Sequence, residues 1–594
     1  MLIYKDIYGI IAIAYYTKDG VGVMATINKR TNKSGTYYYL VESARVNGKP
    51  RIVKQEYLGT AARIEEAVKR LSSGASIPDP DLVKVYEFGA VTALYSVADR
   101  LDIRQIIDNV AGKRNQGLPV SDSILLAAIN RVVEPTSKNT FSGWFDKTVL
   151  YKIFPKANAK NLSSQGFWNN MTMLDIDKIR RIEDEITKHV VDRYALDLDC
   201  LLFDNTNFFT YLDTANPSEL AKRGNSKQKR MDLKLIGLSL MVSPDHNIPL
   251  FHEAYPGNTN DAQQFANIIG KLKDRYLKLE KGECSVTLVF DKGNNNDENI
   301  KELIETEPCP FSFVGGLRLS QCPELLDVPK SEFVPLNNPF LKESAHRAIK
   351  HVYERDFTVV VVNNPELYQK QMVGVLTNIA SCEKAFAALD ERLRLRREGL
   401  VTKGKKPTVE SVEKNVHDIL SAEYMHEVFD CEVTGKAGQT PDLAFSLNNE
   451  RLSALQERSL GKTILFTDHS EWSNEQIVSA YRSQYHVEDA FKQMKDTKYL
   501  TFSPVRHYTD EQIRVHVFYC VLALLLTCLL NKELEQMGHK VSIRHMLDKF
   551  REAQQVISVY SLVNGKPTTK TAYSRFEGLA KEYADKYGLL DYIG

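Results

Sequence analysis

The sequence lacks the patterns that usually mark structural metal sites and disulfide frameworks. Its eight cysteines include no Cys-x-x-Cys pair, and its 13 histidines form no His-Glu-x-x-His or similar ligand spacing. These absences argue against a structural zinc site and against a disulfide-rich secreted domain. Cysteines used in this scattered way are typical of a reducing compartment, so we expect the protein to be cytoplasmic.

Long apolar runs are also scarce. The most apolar stretch, VFYCVLALLLTCLL, covers 14 residues from Val517 to Leu530, whereas a transmembrane helix needs about 20. This stretch therefore predicts a buried helix. The N-terminal residues MLIYKDIYGIIAIAYY contain a charge pair and several tyrosines, where a secretory signal would have an unbroken apolar centre. We expect neither a membrane partner nor a secretion signal.

Neither sign of charge is in excess. Lysine and arginine number 77 against 76 aspartates and glutamates, for a net charge of +1. Whole-chain charge therefore neither indicates nor excludes a nucleic-acid partner, because affinity for phosphate depends on local patches. The 594 residues are too many for one ordinary domain, so the length indicates several domains or one core with large insertions.

Changes in hydrophobic pattern divide the chain into five regions. We predict a β-rich N-terminal domain at residues 1–75 and a helical domain at 76–195. An α/β core follows in two parts, 196–320 and 461–535, with an insertion at 321–460 between them. A helical C-terminal region covers 536–594. The core alternates strands and helices, which favours a mixed sheet flanked by helices. Within the first region, Asn47-Gly48 predicts the turn of a hairpin.

Two aspartates share one context in the core. Asp204 ends the apolar run LDCLLFD, Asp291 ends CSVTLVFD, and a polar loop follows each. Carboxylates at the ends of adjacent strands repel one another, and a divalent cation relieves that repulsion. Ligands that are all oxygen favour Mg²⁺ or Mn²⁺. Taken alone, each aspartate is better explained by ordinary turn chemistry, and other acids lie nearby: Asp197, Asp199, Asp261 and Asp297.

A third acid occurs in AYRSQYHVEDAFKQMK, from Ala480 to Lys495. We predict one continuous helix here, beginning at the capping box SNEQ. Beside its apolar stripe, one edge carries five residues at steps of three and four: Tyr481, Tyr485, Glu488, Lys492 and Lys495. A solvated helix face is one explanation of this edge. The other is a metal-binding carboxylate beside lysines that hold phosphates.

In this order, the three acids resemble the DDE transposases, which are ribonuclease-H-like enzymes of insertion sequences. The helix is similar to the Y-x2-R-x3-E-x6-K signature of one large branch. Tyr481, Glu488 and Lys495 match the signature, whereas Gln484 replaces its arginine and neighbouring Arg482 is a candidate substitute. Further stretches match in place and order between about residues 200 and 530: RGNSKQKRMDLK, YPGNTND, VFDKG and VRHYTDEQIRVHVFYC, the last with Arg506 and His516.

The resemblance implies a ribonuclease-H-like α/β core with a large insertion before the helix of the catalytic glutamate. It implies that Asp204, Asp291 and Glu488 are the catalytic residues and hold two Mg²⁺ or Mn²⁺ ions. It also implies an endonuclease that cleaves DNA at the ends of its element and transfers the 3′-hydroxyl ends into target DNA. The partners would be terminal inverted repeats, target DNA and a second copy of the chain, in the cytoplasm at the nucleoid.

Basic and aromatic side chains around the acids are candidates for DNA contact. They are Lys227, Arg230, Arg318, Tyr481, Arg482, Lys492, Lys495 and Arg506. Basic stretches also occur at 48–54, 222–230 and 391–406, although such stretches are more often solvated surface. We expect the helical region 76–195 to bind the DNA ends, because catalytic cores contact backbone more than bases.

Two other functions are compatible with the residues. A ribonuclease-H-like nuclease or resolvase would cleave DNA without strand transfer, and an assay that joins pre-cut ends separates it from a transposase. A non-catalytic DNA-binding assembly protein would have lost an acid, and the sequence retains all three.

Overall fold

The computed structural model describes most of the chain. The described residues are 2–5, 11–16, 22–32, 35–46, 49–72, 80–114, 116–213, 215–224, 230, 232–279, 286–305, 311–337, 342–436, 438–563 and 566–594. They fold into two compact units, Met1–Val85 with Val556–Ala572 and Tyr86–Gln555 with Tyr573–Gly594.

The first unit is built on a five-stranded antiparallel meander in the order β1-β2-β3-β4-β5. Its strands are β1 (Leu2–Lys5), β2 (Ile11–Tyr16), β3 (Gly22–Asn32), β4 (Gly35–Val46) and β5 (Lys49–Gly59), followed by helix α1 (Ala61–Ser72). The predicted hairpin is confirmed by the pairing of β4 with β5, while its Asn47-Gly48 turn lies outside the described residues. Tyr39 stands opposite Tyr57 and their ring centroids are 5.3 Å apart, a cross-strand pair that favours this register.

A second sheet has the order β19-β18-β6. Its strands are β6 (Leu82–Glu87), β18 (Gln554–Val563) and β19 (Lys566–Ser574), and most of their residues belong to the first unit. The C-terminal region, predicted to be helical, therefore contains a strand pair as well.

The second unit begins with helices that pack into one continuous hydrophobic core with the large sheet. These helices are α2 (Gly89–Arg100), α3 (Ile103–Ala111), α4 (Val120–Val133), α5 (Phe141–Phe145), α6 (Leu150–Ile153), α7 (Ser164–Met171) and α8 (Ile176–Tyr194). Amphipathic spacing explains the burial of α8, where Ile179, Ile182, Ile186 and Val190 face the core at steps of three and four.

The large sheet has nine strands in the order β12-β13-β14-β17-β11-β10-β7-β8-β9. Its strands are β7 (Cys200–Thr210), β8 (Lys234–Val242), β9 (Pro249–Pro256), β10 (Thr287–Phe290), β11 (Ser312–Leu317), β12 (Val334–Pro335), β13 (Ser344–Val352), β14 (Arg355–Asn363) and β17 (Lys462–Thr467). Strands β7, β8 and β9 are antiparallel neighbours, β10 is parallel to β7, and β11 is parallel to β10. Strands β13, β14 and β17 continue the sheet beyond β11 in antiparallel pairings.

The segment between β14 and β17 forms a second hydrophobic core. Its elements are α11 (Pro365–Arg397), α12 (Val409–Ile419), α13 (Met425–Val428), β15 (Phe429–Thr434), β16 (Asp442–Leu447) and α14 (Asn449–Arg458). Residues 321–460 are predicted as one insertion; in the structure, strands β13 and β14 of that range belong to the large sheet.

The remaining helices are α9 (Asp261–Leu279), α10 (Asp297–Glu305), α15 (Asn474–Arg482), α16 (Tyr485–Met494), α17 (Asp510–Gln536), α18 (Ile543–Glu552) and α19 (Gly578–Tyr587). Helix α17 contains the apolar run 517–530 and confirms it as a buried helix. By length and composition alone, α11 and α17 could cross a membrane; the apolar window of α17 is 94% buried inside the protein, as expected of a core helix.

The prediction of one continuous helix around Glu488 was wrong. The chain leaves the helix at Ser483 and Gln484, so Tyr481 lies on α15 and Glu488 on α16. The hydroxyl of Ser483 donates to the carbonyl oxygen of Ala480 (2.6 Å), and such bonds from serine to the preceding turn bend helices. The predicted capping box at the start of α15 is confirmed, because Ser473 and Gln476 bond each other's backbone N–H.

Candidate acidic active site

Asp204 lies inside strand β7. The strand continues to Thr210, so the predicted strand end at Asp204 was wrong. The carboxylate is half-buried, and its Oδ1 accepts a hydrogen bond from the backbone N–H of Asn205 (2.8 Å). An interior strand of a nine-stranded sheet, paired on both sides, therefore fixes this side chain on rigid backbone.

Asp291 directly follows the last residue of β10, as predicted. Because β10 is parallel to β7 and pairs with it, the two aspartates belong to neighbouring strands. The hydroxyl of Tyr481 on α15 donates to Oδ1 of Asp291 (3.2 Å). Gly316 on β11 leaves room for this tyrosine, since a Cβ there would lie 2.7 Å from the hydroxyl oxygen.

Glu488 lies in the first turn of α16 and is exposed. Helix α16 packs against β7 and β8, which brings the glutamate to the strand that carries Asp204. Burial is the largest cause that raises the pKa of Asp204 to about 7; the bond from Asn205 opposes this shift, and the negative charges of Asp291, Asp261 and Glu488 contribute to it. The structure therefore places Asp291, Glu488 and Asp261, which lies at the start of α9, within electrostatic reach of Asp204.

The donor types at this site fit a hard divalent cation. Among the described residues, no lysine or arginine forms an ion pair with Asp204, Asp291 or Glu488. In the same part of the chain, however, no three or more His, Cys, Asp or Glu side chains stand in a group ready to hold a metal ion. Oxygen ligands of this kind suit Mg²⁺ or Mn²⁺, and the two predicted ions stay a prediction.

An asparagine network, which sequence reasoning missed, connects the strands of the two aspartates. Asn205 donates from Nδ2 to Oδ1 of Asn294 (3.2 Å), and Ser239 donates to Oδ1 of Asn205 (2.6 Å). Asn294 in turn accepts at its carbonyl oxygen from Asn299 (2.8 Å). The sequence signal for this network was the high density of asparagine in DNTN and DKGNNND. Asparagine is also common in turns, so this density alone did not predict a network between strands.

Besides Tyr481, which bonds Asp291, the predicted DNA contacts Arg482 on α15 and Lys495 after α16 are engaged within the protein. Arg482 pairs with Glu343, whose side chain is buried. Lys495 donates to the hydroxyl of Thr206 (2.6 Å) and lies 5.3 Å from the centre of the Phe208 ring. Lys495 is nevertheless exposed at the edge of the acidic site, so its contact with DNA stays a prediction, as does that of Arg482.

The other predicted contacts are spread around the sheet. Arg318 and Lys492 are exposed, and Arg506 is exposed with its guanidinium 5.9 Å from the Tyr211 ring. Arg230 forms a two-bond ion pair with Asp232 (2.7 and 2.6 Å) on the surface. Lys227 lies outside the described residues.

Comparison with known proteins adds little to this geometry. No known family matches the chain, and no curated protein matches it. Among solved structures, the chain is similar to a piggyBac transposase in its synaptic complex with hairpin DNA, at 11% identity and a TM-score of 0.36 over 78% of each chain. A likeness of that size assigns neither a fold family nor an activity to this chain.

Proposed function

We propose that this protein is a DDE-type transposase of an insertion sequence. It would cleave DNA at the ends of its element and transfer the 3′-hydroxyl ends into target DNA. One observation carries the proposal: Asp204 lies on β7, Asp291 follows neighbouring β10 and Glu488 lies on a helix packed against β7, in the chain order that the resemblance requires.

The strand arrangement supports a ribonuclease-H-like core. Five neighbouring strands have the order β9-β8-β7-β10-β11 in the sheet. In chain order, β7, β8 and β9 are antiparallel neighbours, and they are followed by β10 and β11, which run parallel to β7. This arrangement puts the first and fourth strands side by side. The two aspartates of a DDE enzyme need that adjacency.

Asp204, Asp291 and Glu488 are the residues that would hold the metal. When bound, two Mg²⁺ or Mn²⁺ ions supply activation of the attacking oxygen and stabilisation of the leaving oxygen in an in-line displacement. The protein's own part is positional: Tyr481 fixes one carboxylate oxygen of Asp291, and the strands fix the aspartates. Exposed Lys492 supplies positive charge for DNA phosphates beside Glu488.

The remaining features of the proposal concern partners. We propose terminal inverted repeats and target DNA as substrates and a dimer as the assembly that joins two ends. Region 76–195 would bind the ends, and the protein would act in the cytoplasm at the nucleoid. The substrates and the dimer follow from the reaction, since strand transfer joins two ends to one target.

The test uses the full chain and DNA that carries the inverted repeats flanking its gene. Wild type with Mg²⁺ should nick these ends, and Asp204→Asn, Asp291→Asn and Glu488→Gln should each lower the rate at least 1,000-fold, on the order expected for loss of a metal ligand. Glu298→Gln, an exposed acid on α10, is the matched control and should cleave normally. Normal cleavage by any of the three variants removes that residue from the site.

A second assay separates the transposase from a simple nuclease. Pre-cut ends with free 3′-hydroxyls are incubated with supercoiled target DNA. Joined products support strand transfer. Cleavage of intact ends without any joining of pre-cut ends would leave a ribonuclease-H-like nuclease instead.

A further inference from the structure

The turn between β8 and β9 makes an unusual contact with the helix of Glu488. Within this turn, Asn247 has a left-handed backbone (φ 58°) and is only 8% exposed. Asparagine tolerates this conformation better than most residues. A buried polar side chain in a left-handed turn needs partners for its amide, and here both partners come from α16.

The Asn247 amide bonds to both sides of Glu488. Its Nδ2 donates to Oδ2 of Asp489 (3.0 Å), and the Nδ1–H of His486 donates to its Oδ1 (2.5 Å). His486 precedes Glu488 by two residues and Asp489 follows it directly. One side chain of the sheet therefore holds the first turn of α16 at two points.

The turn itself is fixed from the opposite side by α17. Lys532 pairs with Asp245, and His246 lies between Asp245 and Oε2 of Glu535 (2.8 Å to the latter). The backbone carbonyl of Asn247 also accepts from Sγ of Cys528 (3.7 Å). The turn is therefore a stiff support.

The break between α15 and α16 gives this support its importance. A continuous helix would carry Glu488 rigidly with Tyr481, but the interruption at Ser483 and Gln484 separates the two. Helix α16 is attached to the sheet by its apolar face against β7 and β8, and Asn247 adds a polar attachment near its start. Strand β8, which leads into the turn, pairs with β7 so that Leu240 stands opposite Asp204.

From these contacts we infer that Asn247 is the positioning residue for Glu488. It ties the first turn of α16 to the sheet that carries Asp204, and so sets where the glutamate stands relative to the two aspartates. The catalytic part of this inference rests on the proposed function. The attachment of α16 does not, and it has its own measurement.

Asn247→Gly is the informative variant. Glycine keeps the left-handed backbone without strain and removes only the two amide contacts. Asp489 still accepts from Gln493 (2.7 Å), so the variant leaves no bare buried carboxylate and should fold. Glu354→Gly is the matched control, because Glu354 is an exposed left-handed residue (φ 59°) in the β13–β14 turn.

Hydrogen–deuterium exchange tests the attachment. Amides of Tyr485–Met494 should exchange at least tenfold faster in Asn247→Gly than in wild type, with no change in Glu354→Gly. Unchanged exchange in α16 would overturn the inference. This measurement needs neither DNA nor metal, and it decides the attachment even if wild type cleaves no DNA.

Single-turnover cleavage tests the positioning role. Asn247→Gly should lower the cleavage rate 10- to 100-fold with unchanged Kd for DNA, and raised Mg²⁺ should restore part of the rate, which a general loss of stability would not allow. Asn247→Asp puts a carboxylate oxygen beside Oδ2 of Asp489, where Nδ2 now donates, so like-charge repulsion should lower the rate at least as far as in Asn247→Gly. Faster exchange with wild-type cleavage at every Mg²⁺ concentration would overturn the role. An inactive wild type would remove the proposed function and leave Asn247 as an attachment only.

Discussion

The hydroxyl of Tyr481 donates a hydrogen bond to Oδ1 of Asp291 across 3.2 Å and so links α15 to the end of β10. Burial raises the pKa of Tyr481, and the charge of Asp291 and their hydrogen bond raise it further. The tyrosine therefore remains a proton donor at any ordinary pH. The link leaves the second carboxylate oxygen of Asp291 available for another ligand.

Tyr481→Phe should slow DNA cleavage about 10- to 100-fold without weakening DNA binding, because the phenyl ring keeps its packing while Asp291 loses a fixed partner. Single-turnover rates and Kd from fluorescence anisotropy measure the two effects separately. A matching loss of affinity would instead make the tyrosine a DNA contact.

Gly316→Ala should disturb the same link from the other side. The new methyl group would lie 2.7 Å from the Tyr481 hydroxyl and must displace it. We expect a rate at least as low as that of Tyr481→Phe, and no further loss when the two changes are combined. Gly374→Ala on α11, where a Cβ meets nothing within 4 Å, is the control and should be active.

We predict that removing the charge of Arg482 destabilises the protein more than removing the charge of its partner Glu343. Glu343 is 7% exposed, and among the described residues its Oε2 has no hydrogen-bond partner. Arg482→Gln leaves that buried carboxylate without its cation. Because the Arg482 side chain is 40% exposed and Asn364 still donates to Oε1 of Glu343, the cost should be about 1–3 kcal/mol. Glu343→Gln should cost less, and the double variant should recover much of the loss. Thermal or urea unfolding measures this cycle; equal losses in both single variants would contradict it.

Glu87 should make stability fall as pH rises. Burial raises its pKa from 4.5 to about 7; nearby Arg551 opposes this shift and Glu134 adds to it. Because the folded protein holds this proton more tightly than the unfolded chain, the stabilisation is complete below about pH 4.5 and is lost as pH passes 7.

Glu87→Gln should therefore stabilise the protein at pH 8 by up to about 3 kcal/mol and change little at pH 4.5. Unfolding midpoints at the two pH values measure the difference. The exposed Glu185 on α8 supplies the control variant Glu185→Gln, which should behave as wild type at both. A Glu87→Gln protein less stable than wild type at pH 8 would contradict the assignment.

Lys492 should contribute one phosphate contact. It is exposed, and no described acid pairs with it. Lys492→Gln should lower the slope of log K against log salt by about 1 and weaken all DNA sequences alike. Lys301→Gln on α10, equally exposed, should leave the slope unchanged. An unaltered slope in Lys492→Gln would remove this residue from the interface.

Local patterns were sufficient to predict much of the core. The apolar runs of β8, β9 and β10 and the amphipathic spacing of α9 each indicate a secondary-structure element from its own short stretch of sequence. These local patterns do not determine which strands pair with each other, because strand pairing joins residues that are far apart in the chain. For this reason the membership of β13 and β14 in the large sheet could not be predicted.

The candidate site was also predicted only in part: its local sequence features were predictable and its long-range contacts were not. The run that ends at Asp291 and the spacing around Glu488 pointed to the acids, because both features are local. The break after Arg482 depends on one serine hydroxyl bonding the preceding turn, and helical periodicity continues through it. Asn247 lies more than 200 residues from its partners His486 and Asp489. No pattern in one sequence links positions so far apart.

Diffraction from crystals soaked in Mn²⁺ tests the central claim most directly. We predict an anomalous peak between Asp204 and Asp291 within reach of Glu488, and its loss in Asp204→Asn crystals soaked in the same way. Mn²⁺ peaks elsewhere on the protein with none at these carboxylates would contradict it.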